Sequence, residues 1–154
     1  MLKYHIMNEE EKKIICDWKY EKEYEIYNLE SYEAMKEKKS GLANPAHVNN
    51  FYSFYDDQQL VGFANILDEE KEVFIGLGVN PLYCNQGYGT EILHYVSKIV
   101  KSLYKEKPLY LEVRSWNKRA IRCYEKAGFV IDGNSFEQVS GIGKGEFYRM
   151  VKEI

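Results

Sequence analysis

The chain has 154 residues, of which 45% are hydrophobic and 29% are charged, a composition typical of one globular domain with a substantial core. A formal net charge of −3 gives no electrostatic basis for nucleic-acid binding, and no apolar run approaches the roughly 20 residues of a membrane span. The amino-terminal residues lack the basic and then apolar layout of a signal peptide. Three cysteines at wide spacings support neither a disulfide framework nor a zinc cluster: Cys16, Cys84 and Cys123. We therefore expect a single domain over residues 1–154, located in the cytoplasm, with no metal, nucleic acid or membrane as partner.

The first half of the chain predicts a short strand, two helices and an antiparallel meander of three strands. Asn8 and Glu11 have the spacing of a capping box, and Ile14, Ile15 and Trp18 are expected to face inward from the helix that follows. The predicted elements are a strand over 2–6, a helix from Asn8 to about Trp18, a helix over 30–38 that ends at Gly41, strands over 51–55 and 60–67, and a strand that starts at Val73 and ends before Pro81.

The second half predicts a long amphipathic helix, a strand, a shorter helix and two more strands. Apolar residues recur at helical spacing after Thr90: Ile92, Leu93, Val96, Ile99, Val100 and Leu103. The further elements are a strand over 109–113, a helix from its cap Asn117 to about Ala127 with Gly128 as its left-handed end, and strands over 129–131 and 146–151. The crossover through the long helix must join parallel strands. The fold class is therefore a mixed α/β sheet, an antiparallel meander followed by a parallel β-α-β crossover, with helices on both faces.

The glycine-rich segment from Cys84 to Gly89 lies between a predicted strand and the start of the long helix. Such a segment presents unpaired backbone N–H groups and the positive end of a helix dipole, which indicates an anion site, usually for phosphate. A tight turn that only feeds the helix is the alternative. A P-loop is excluded because Gly89 is followed by Thr90 and Glu91 instead of lysine, and the third glycine of a dinucleotide fingerprint is absent. A second glycine-rich segment, 141–145, precedes a strand and is interpreted as a hairpin or a flexible loop.

Three segments together resemble the GCN5-related N-acetyltransferase superfamily, and the resemblance covers nearly the whole chain. They are the loop Val79–Thr90, the helix Asn117–Phe129 and the strand Ile75–Val79. The loop is similar to the family's acyl-CoA pyrophosphate loop, although Cys84 stands where the family usually has Gln or Arg. The strand is similar to the family's bulged strand, whose backbone pairs with the pantetheine arm, and glycines on both sides of Leu77 suit a bulge or a close backbone approach.

The resemblance implies acetyl-CoA, or a close acyl-CoA, as the donor, with no metal. It implies that Tyr124 is the general acid that protonates the departing CoA thiolate, whereas a core tyrosine is the alternative. Asn117 is expected to cap its helix and to bond the CoA arm. The cofactor-binding residues that the resemblance implies are Leu77, Gly78, Val79, Asn85, Gln86, Gly87, Tyr88, Gly89, Thr90, Asn117 and Tyr124.

The acceptor side of the site is less defined. An aromatic and acidic segment near the amino terminus suits a cationic acceptor through charge and cation–π attraction, and an amphipathic surface segment is the alternative. Its candidate acceptor residues are Trp18, Tyr20, Tyr24 and Tyr27. The general base is not assigned: Glu72 lies near the relevant strand but could be a solvated turn residue. Other carboxylates of the amino-terminal segment are Asp17, Glu21, Glu23 and Glu25.

These features predict transfer of an acetyl group to an amine by direct attack in a ternary complex. A CoA-binding regulatory or interaction module with the same fold and no turnover is the alternative, which the unassigned base keeps open. The acceptor is expected to be a small-molecule or peptide amine. Sequence patterns in this fold do not identify which amine it is. The oligomeric state is also open, with a homodimer as one option.

Overall fold

A computed structural model describes residues 1–105, 107–140 and 143–153 of the chain. The helices are α1 (Glu9–Cys16), α2 (Tyr32–Lys38), α3 (Tyr88–Tyr104) and α4 (Lys118–Lys126). The strands are β1 (Lys3–Ile6), β2 (Phe51–Asp56), β3 (Gln59–Glu69), β4 (Glu72–Val79), β5 (Leu109–Arg114), β6 (Val130–Ile131), β7 (Phe136–Ser140) and β8 (Gly143–Lys152). Short 3₁₀ turns cover Lys22–Tyr27, Gly41–Ala43, Pro45–His47 and Pro81–Tyr83.

The described strands form an eight-stranded mixed sheet in the order β1-β2-β3-β4-β5-β8-β6, with β7 paired to β8. Strands β4 and β5 are parallel, with Val73 opposite Leu109, because the chain crosses from one to the other through α3. The pairings of β1 with β2, β2 with β3, and β8 with β5, β6 and β7 are antiparallel. The predicted fold class, a meander followed by a parallel crossover, is therefore confirmed.

The chain forms two compact units, and the assignment of a single domain stays a prediction. The first unit holds Met1–Asn65 and Leu77–Tyr88, and the second holds Ile66–Gly76 and Gly89–Ile154. The core of the first unit contains Met7, Ile15, Cys16, Trp18, Tyr32, Met35, Leu42 and Phe51. Buried side chains of the second unit include Ile92, Leu93, Val96, Val100, Leu109, Leu111, Phe129 and Met150. The apolar spacing that predicted α3 thus corresponds to its buried face.

The predicted start of α1 is confirmed, while two side chains predicted to face inward are exposed. In the capping box, the Asn8 side chain accepts from the Glu11 N–H at 2.9 Å and Glu11 accepts from the Asn8 N–H at 2.9 Å. The buried face of α1 carries Glu11, Lys12, Ile15 and Cys16, so Ile14 lies on the far side and is 47% exposed. Leu103 is also exposed, because it lies in the last turn of α3.

One predicted helix closure and one predicted loop are wrong. Helix α2 ends at Lys38 as predicted, but it is closed by Lys39, whose left-handed φ is 54°, and not by Gly41. Strand β7 falls in a segment interpreted as a glycine-bearing loop, since its sequence has no continuous apolar face and Val139 is exposed. Its pairing partner β8 begins at Gly143, and the middle of the predicted hairpin, residues 141 and 142, lies outside the described residues.

A buried carboxylate joins α1 to β1 and β2 within the first unit. Glu11 is 2% exposed and accepts hydrogen bonds from Ser53 Oγ at 2.8 Å, Tyr55 Oη at 2.5 Å and His5 Nε2 at 2.7 Å. Burial by itself raises the pKa of Glu11, but the bonds from Tyr55, the Asn8 N–H, Ser53 and His5 together lower it below its ordinary 4.5. The same contact and burial raise the pKa of Tyr55 to about 12. The ionised carboxylate therefore fixes α1, and the segment that follows it, on the meander.

Replacing Glu11 with glutamine should lower the free energy of unfolding at neutral pH by roughly 2 kcal/mol, the typical contribution of hydrogen bonds to a buried charged group. Because the folded-state pKa is lowered, the contribution is complete above the ordinary value of 4.5 and is lost as the pH falls through the folded-state value. Urea unfolding of the wild type and of E11Q should thus converge in acid. E10Q, at an exposed neighbour, is the control, and an equal effect of both substitutions would contradict the assignment.

Candidate active site

The end of β4 is held by a single asparagine. The backbone N–H of Asn80 donates to the Val61 carbonyl at 2.8 Å, and its side-chain Nδ2 donates to the Leu60 carbonyl at 3.0 Å. The Asn80 Oδ1 accepts from the Leu82 N–H at 3.0 Å, which starts the 3₁₀ turn Pro81–Tyr83. Asn80 is 9% exposed, so these bonds are shielded from water. The strand end and the turn that leaves it are therefore set by one side chain, which the sequence interpretation did not single out.

Gly78 lies directly against an aromatic ring. A Cβ at this position would be 2.2 Å from the Phe63 ring, so only glycine leaves the ring in place. The Phe63 ring in turn contacts Trp18, with their centroids 6.1 Å apart. A side chain from β3 thus lies close to this glycine, and Leu77, Gly78 and Val79 are half-buried residues of β4.

The aromatic and acidic segment that holds the candidate acceptor residues is hydrogen-bonded to the end of β4. The Tyr20 hydroxyl donates to the Val79 carbonyl at 2.6 Å, and the Tyr20 N–H donates to Asn28 Oδ1 at 2.6 Å. The two bonds hold the intervening 3₁₀ turn, on which the half-buried rings of Tyr24 and Tyr27 stack with centroids 6.5 Å apart. The structure therefore brings Tyr20 to the predicted pantetheine strand. Trp18, at 9% exposure, is a core residue of the first unit.

The predicted phosphate loop has an unusual backbone. Asn85 and Gly87 both have positive φ, 65° and 84°, which an L-residue other than Asn or Gly rarely adopts. A Cβ at Gly87 would meet nothing within 4 Å, so this glycine is required by its conformation and not by lack of space. Asn85, Gln86 and Gly87 are exposed. Left-handed residues of this kind turn backbone N–H groups toward a common anion.

Helix α3 begins at Tyr88, earlier than the sequence pattern indicated. Tyr88, Gly89 and Thr90 therefore belong to its first turn, where backbone N–H groups have no partner within the helix. The Tyr88 hydroxyl donates to Asp56 Oδ2 at 2.5 Å, and the Tyr83 ring packs edge-on at 6.3 Å. These contacts anchor the start of a 17-residue helix directly behind the exposed loop, an arrangement suited to a phosphate group.

The second unit places the start of α3 beside α4. Thr90 Oγ1 lies 3.4 Å from the Cys123 carbonyl and 3.5 Å from its Sγ, next to Tyr124 in the chain. Burial raises the pKa of the Cys123 thiol, which therefore stays neutral and is no nucleophile. The predicted phosphate residue Thr90 and the helix of the predicted general acid are thus in contact.

Asn117 and Tyr124 sit at opposite ends of α4. Asn117 is 6% exposed, and its Oδ1 accepts from the Ala120 N–H at 3.1 Å, which confirms the predicted cap. Tyr124 is half-buried, and its carbonyl accepts from the N–H groups of Ala127 and Phe129 at the helix end, where Gly128 has the predicted left-handed φ of 98°. The Tyr124 side chain is therefore carried by a helix closed at both ends.

The carboxylates considered as a general base are occupied or exposed. Glu72 is neither a solvated turn residue nor an unengaged carboxylate: it opens β4 and forms two bonds with Arg149, at 2.5 and 3.2 Å. The hydrogen bonds from Arg149 to Glu72 raise the pKa of Arg149. The remaining candidates lie at the end of α1 or on the 3₁₀ turn after it: Asp17, Glu21, Glu23 and Glu25. The geometry singles out none of them.

The described ranges contain no cluster of three or more His, Cys, Asp or Glu side chains that could hold a metal ion. In the same ranges no helix has the length and apolar character needed to cross a membrane.

The known proteins that this chain resembles in sequence and in structure are acetyltransferases. The sequence profile of the acetyltransferase (GNAT) family matches residues 12–129. The chain is 28% identical over 137 residues to the uncharacterised N-acetyltransferase YfmK of Bacillus subtilis, which covers 84% of this chain and 86% of that protein. A spermidine N-acetyltransferase chimera from Vibrio cholerae and human sequence superposes with a TM-score of 0.76 at 17% identity, covering 99% and 94% of the two chains.

The spermidine N-acetyltransferase of Vibrio cholerae, solved with CoA and spermine, superposes with a TM-score of 0.73 at 17% identity over 99% of this chain and 95% of that chain. At such identity the two superpositions establish the fold, and the profile match establishes the family. This chain belongs to the acetyltransferase (GNAT) family, and its activity is acetyl transfer to an amine acceptor.

Proposed function

We propose that the chain binds acetyl-CoA through the loop Asn85–Gly87 and the first turn of α3, and that an acceptor amine attacks the thioester directly. The observation that carries the proposal is the exposed loop with two left-handed residues directly before a long helix. It supplies backbone N–H donors and a helix dipole without a basic side chain, which is what a pyrophosphate needs. Acetyl-CoA enters as a substrate, so the protein requires no resident cofactor for this step.

Residues on either side of the loop have distinct proposed tasks. The backbone of Leu77, Gly78 and Val79 runs along the pantetheine arm, and the Tyr20 bond to the Val79 carbonyl limits which backbone groups remain for it. In the second unit, Gly89 and Thr90 continue the phosphate site, while Asn117 supports the CoA arm from the start of α4. The contact of Thr90 with Cys123 supports a shared task for the two helices.

The proposed reaction needs no covalent enzyme intermediate. The nitrogen lone pair of the neutral amine attacks the thioester carbonyl carbon, and a C–N bond forms as the C–S bond breaks. The sulfur leaves as a thiolate and takes a proton from the Tyr124 hydroxyl, while the nitrogen releases one proton, which restores the tyrosine through solvent. Amide and free CoA thiol are the products. A phenol, with an ordinary pKa of about 10, is matched to a thiol leaving group well enough for this transfer.

The acceptor is proposed to be a small-molecule or peptide amine. The structural neighbours act on spermidine, and one holds spermine, which supports an amine acceptor of small size. The aromatic and acidic segment around Tyr20, Tyr24 and Tyr27 suits a cation.

A cytoplasmic location follows as a proposal from three cysteines that form no disulfide. A homodimer and the absence of nucleic-acid partners also remain proposals.

Release of the CoA thiol tests the activity itself. With acetyl-CoA and a panel of polyamines, amino acids, aminoglycosides and peptide amino termini, we expect thiol release that depends on the amine. Reactions without protein and without amine are the controls. Binding of CoA with no turnover on any amine would instead favour the regulatory module.

Gly87→Val should weaken CoA binding by at least about tenfold, because a β-branched residue cannot hold φ 84° and the N–H groups of the loop would turn away. Calorimetric titration with CoA measures the affinity. Since the added side chain meets no neighbour, any loss of thermal stability comes from backbone strain alone, and Gly133→Val, at another open left-handed glycine of the described chain, is the matched control for that strain. Unchanged affinity in G87V would overturn the phosphate assignment.

Tyr124→Phe should lower turnover by roughly 10²-fold, the typical contribution of a positioned general acid, with little change in the KM for acetyl-CoA. Steady-state kinetics on the best amine of the panel give both constants. Tyr95→Phe, on the adjacent helix α3, is a control for the loss of a phenol. Equal turnover in Y124F and the wild type would remove the acid role.

A further inference from the structure

The second unit contains a buried arginine that has no carboxylate partner among the described residues. Arg114 ends β5 and is 8% exposed. Its guanidinium lies over the ring of Phe147, the residue directly opposite on β8, with 4.7 Å from Cζ to the ring centroid. Within the described residues no carboxylate lies within 4.0 Å of its nitrogens. A guanidinium cannot lose its charge in a protein, so an isolated buried one is costly.

The structure keeps space for this side chain. A Cβ at Gly145 would lie 2.3 Å from Arg114 Nη1, so the glycine of β8 lets the guanidinium lie flat against the strand. The only fully buried, unpaired side-chain polar atom in the described residues is Asn65 Oδ1. No guanidinium nitrogen of Arg114 is among such atoms, and the side chain keeps a small solvent-accessible area.

A second arginine on the same sheet face has the carboxylate partners that Arg114 does not have among the described residues. Arg149 also stacks on an aromatic ring, that of Tyr110, at 4.3 Å. It is neutralised by Glu72 at 2.5 Å and Asp132 at 3.2 Å. Arg114 has the aromatic support without either carboxylate. Among the described residues, both arginines stack on an aromatic ring, and only Arg149 has carboxylate partners.

We propose that Arg114 binds a carboxylate carried by the acceptor, so that the preferred substrates are amines with a carboxylate group, such as amino acids. The proposal rests on the acetyl-transfer function above. Arg114 lies three residues before Asn117, the cap of α4, which is the helix that also carries Tyr124. A planar carboxylate matches the exposed edge of a stacked guanidinium with two parallel hydrogen bonds.

The surrounding charges favour a carboxylate over a phosphate. Glu112 lies two residues before Arg114 on the same face of β5 and accepts from Gln138 at 3.4 Å. Arg149 offers no spare charge, because two carboxylates already neutralise it. One unpaired cation beside an acidic neighbour suits a monoanion, whereas a dianionic phosphate would be repelled. The acidic neighbour also suits the positive amine of the same acceptor.

The test compares amines that differ only in the carboxylate: lysine with cadaverine, and phenylalanine with phenethylamine. The wild type should show kcat/KM at least about tenfold higher for the carboxylate member of each pair, as expected for a charge-assisted bidentate contact. R114Q should abolish that preference through the KM for the acceptor, and leave the amines without carboxylate and the KM for acetyl-CoA within about twofold. R122Q, at an exposed arginine of α4, controls for loss of one positive charge.

Each other outcome overturns the proposal. If the wild type has equal kcat/KM for the two amines of a pair, Arg114 has a structural role only. The same conclusion follows if R114Q lowers kcat/KM equally for both amines. A raised KM for acetyl-CoA in R114Q would indicate that Arg114 binds an anionic group of acetyl-CoA and not of the acceptor. If R114Q melts early by circular dichroism, R114K replaces it, because lysine keeps the charge and should retain only part of the preference.

A binding experiment distinguishes failure of the proposed acetyl transfer from failure of the Arg114 site. Calorimetry with N-acetylphenylalanine in the presence of CoA reads carboxylate binding without turnover. Binding that is lost in R114Q, in a protein that acetylates no amine, would keep the Arg114 site and reject the activity. Absence of binding in the wild type would reject the Arg114 site whether or not amines are acetylated.

Discussion

The contact between Asn80 and β3 is the constraint on which the donor side of the first unit depends. Its backbone and side-chain bonds to Val61 and Leu60 fix where β4 ends, and its Oδ1 starts the turn into the phosphate loop. The Val79 carbonyl just before it holds Tyr20, and with it the aromatic segment. One buried amide therefore sets the start of the loop and the position of the acceptor segment on the same strand end. Because each bond lies in a dry environment, loss of any partner would leave a buried polar group unpaired.

Charge in this protein is placed by pairing. Glu11 is buried with several donors and stays ionised, and Glu72 is engaged by Arg149. Of these two carboxylates, Glu72 was a candidate base, and both of its oxygens accept hydrogen bonds from Arg149. Arg114 departs from this pattern: it is buried and stacks on Phe147, and among the described residues it forms no ion pair. The departure is informative because the matched arginine, Arg149, is fully neutralised on the same sheet face.

Much of the local structure was predictable, because it depends on short-range chemistry. The capping box at Asn8, the cap at Asn117 and the left-handed Gly128 depend on side chains within one helical turn, so residue type at fixed spacing indicates them. The errors have longer-range causes. Ile14 points outward because the network of Glu11 turns the buried face of α1 elsewhere. Strand β7 lacks an apolar pattern and exists through its pairing with β8, which is a tertiary contact.

The amino-acid sequence by itself determined the fold class and indicated a glycine-bearing loop before α3 as the proposed phosphate site, since periodicity and the conformational freedom of glycine act over a few residues. It also indicated the family through three spaced segments. Only the tertiary structure decided that Asn80 holds the strand end, that Tyr20 reaches Val79, and that Glu72 is committed to Arg149. The same holds for the unpaired charge of Arg114, which no local pattern indicates. The reason is physical: whether a charged or polar side chain is paired depends on strands and helices far away in the sequence, and only packing brings them together.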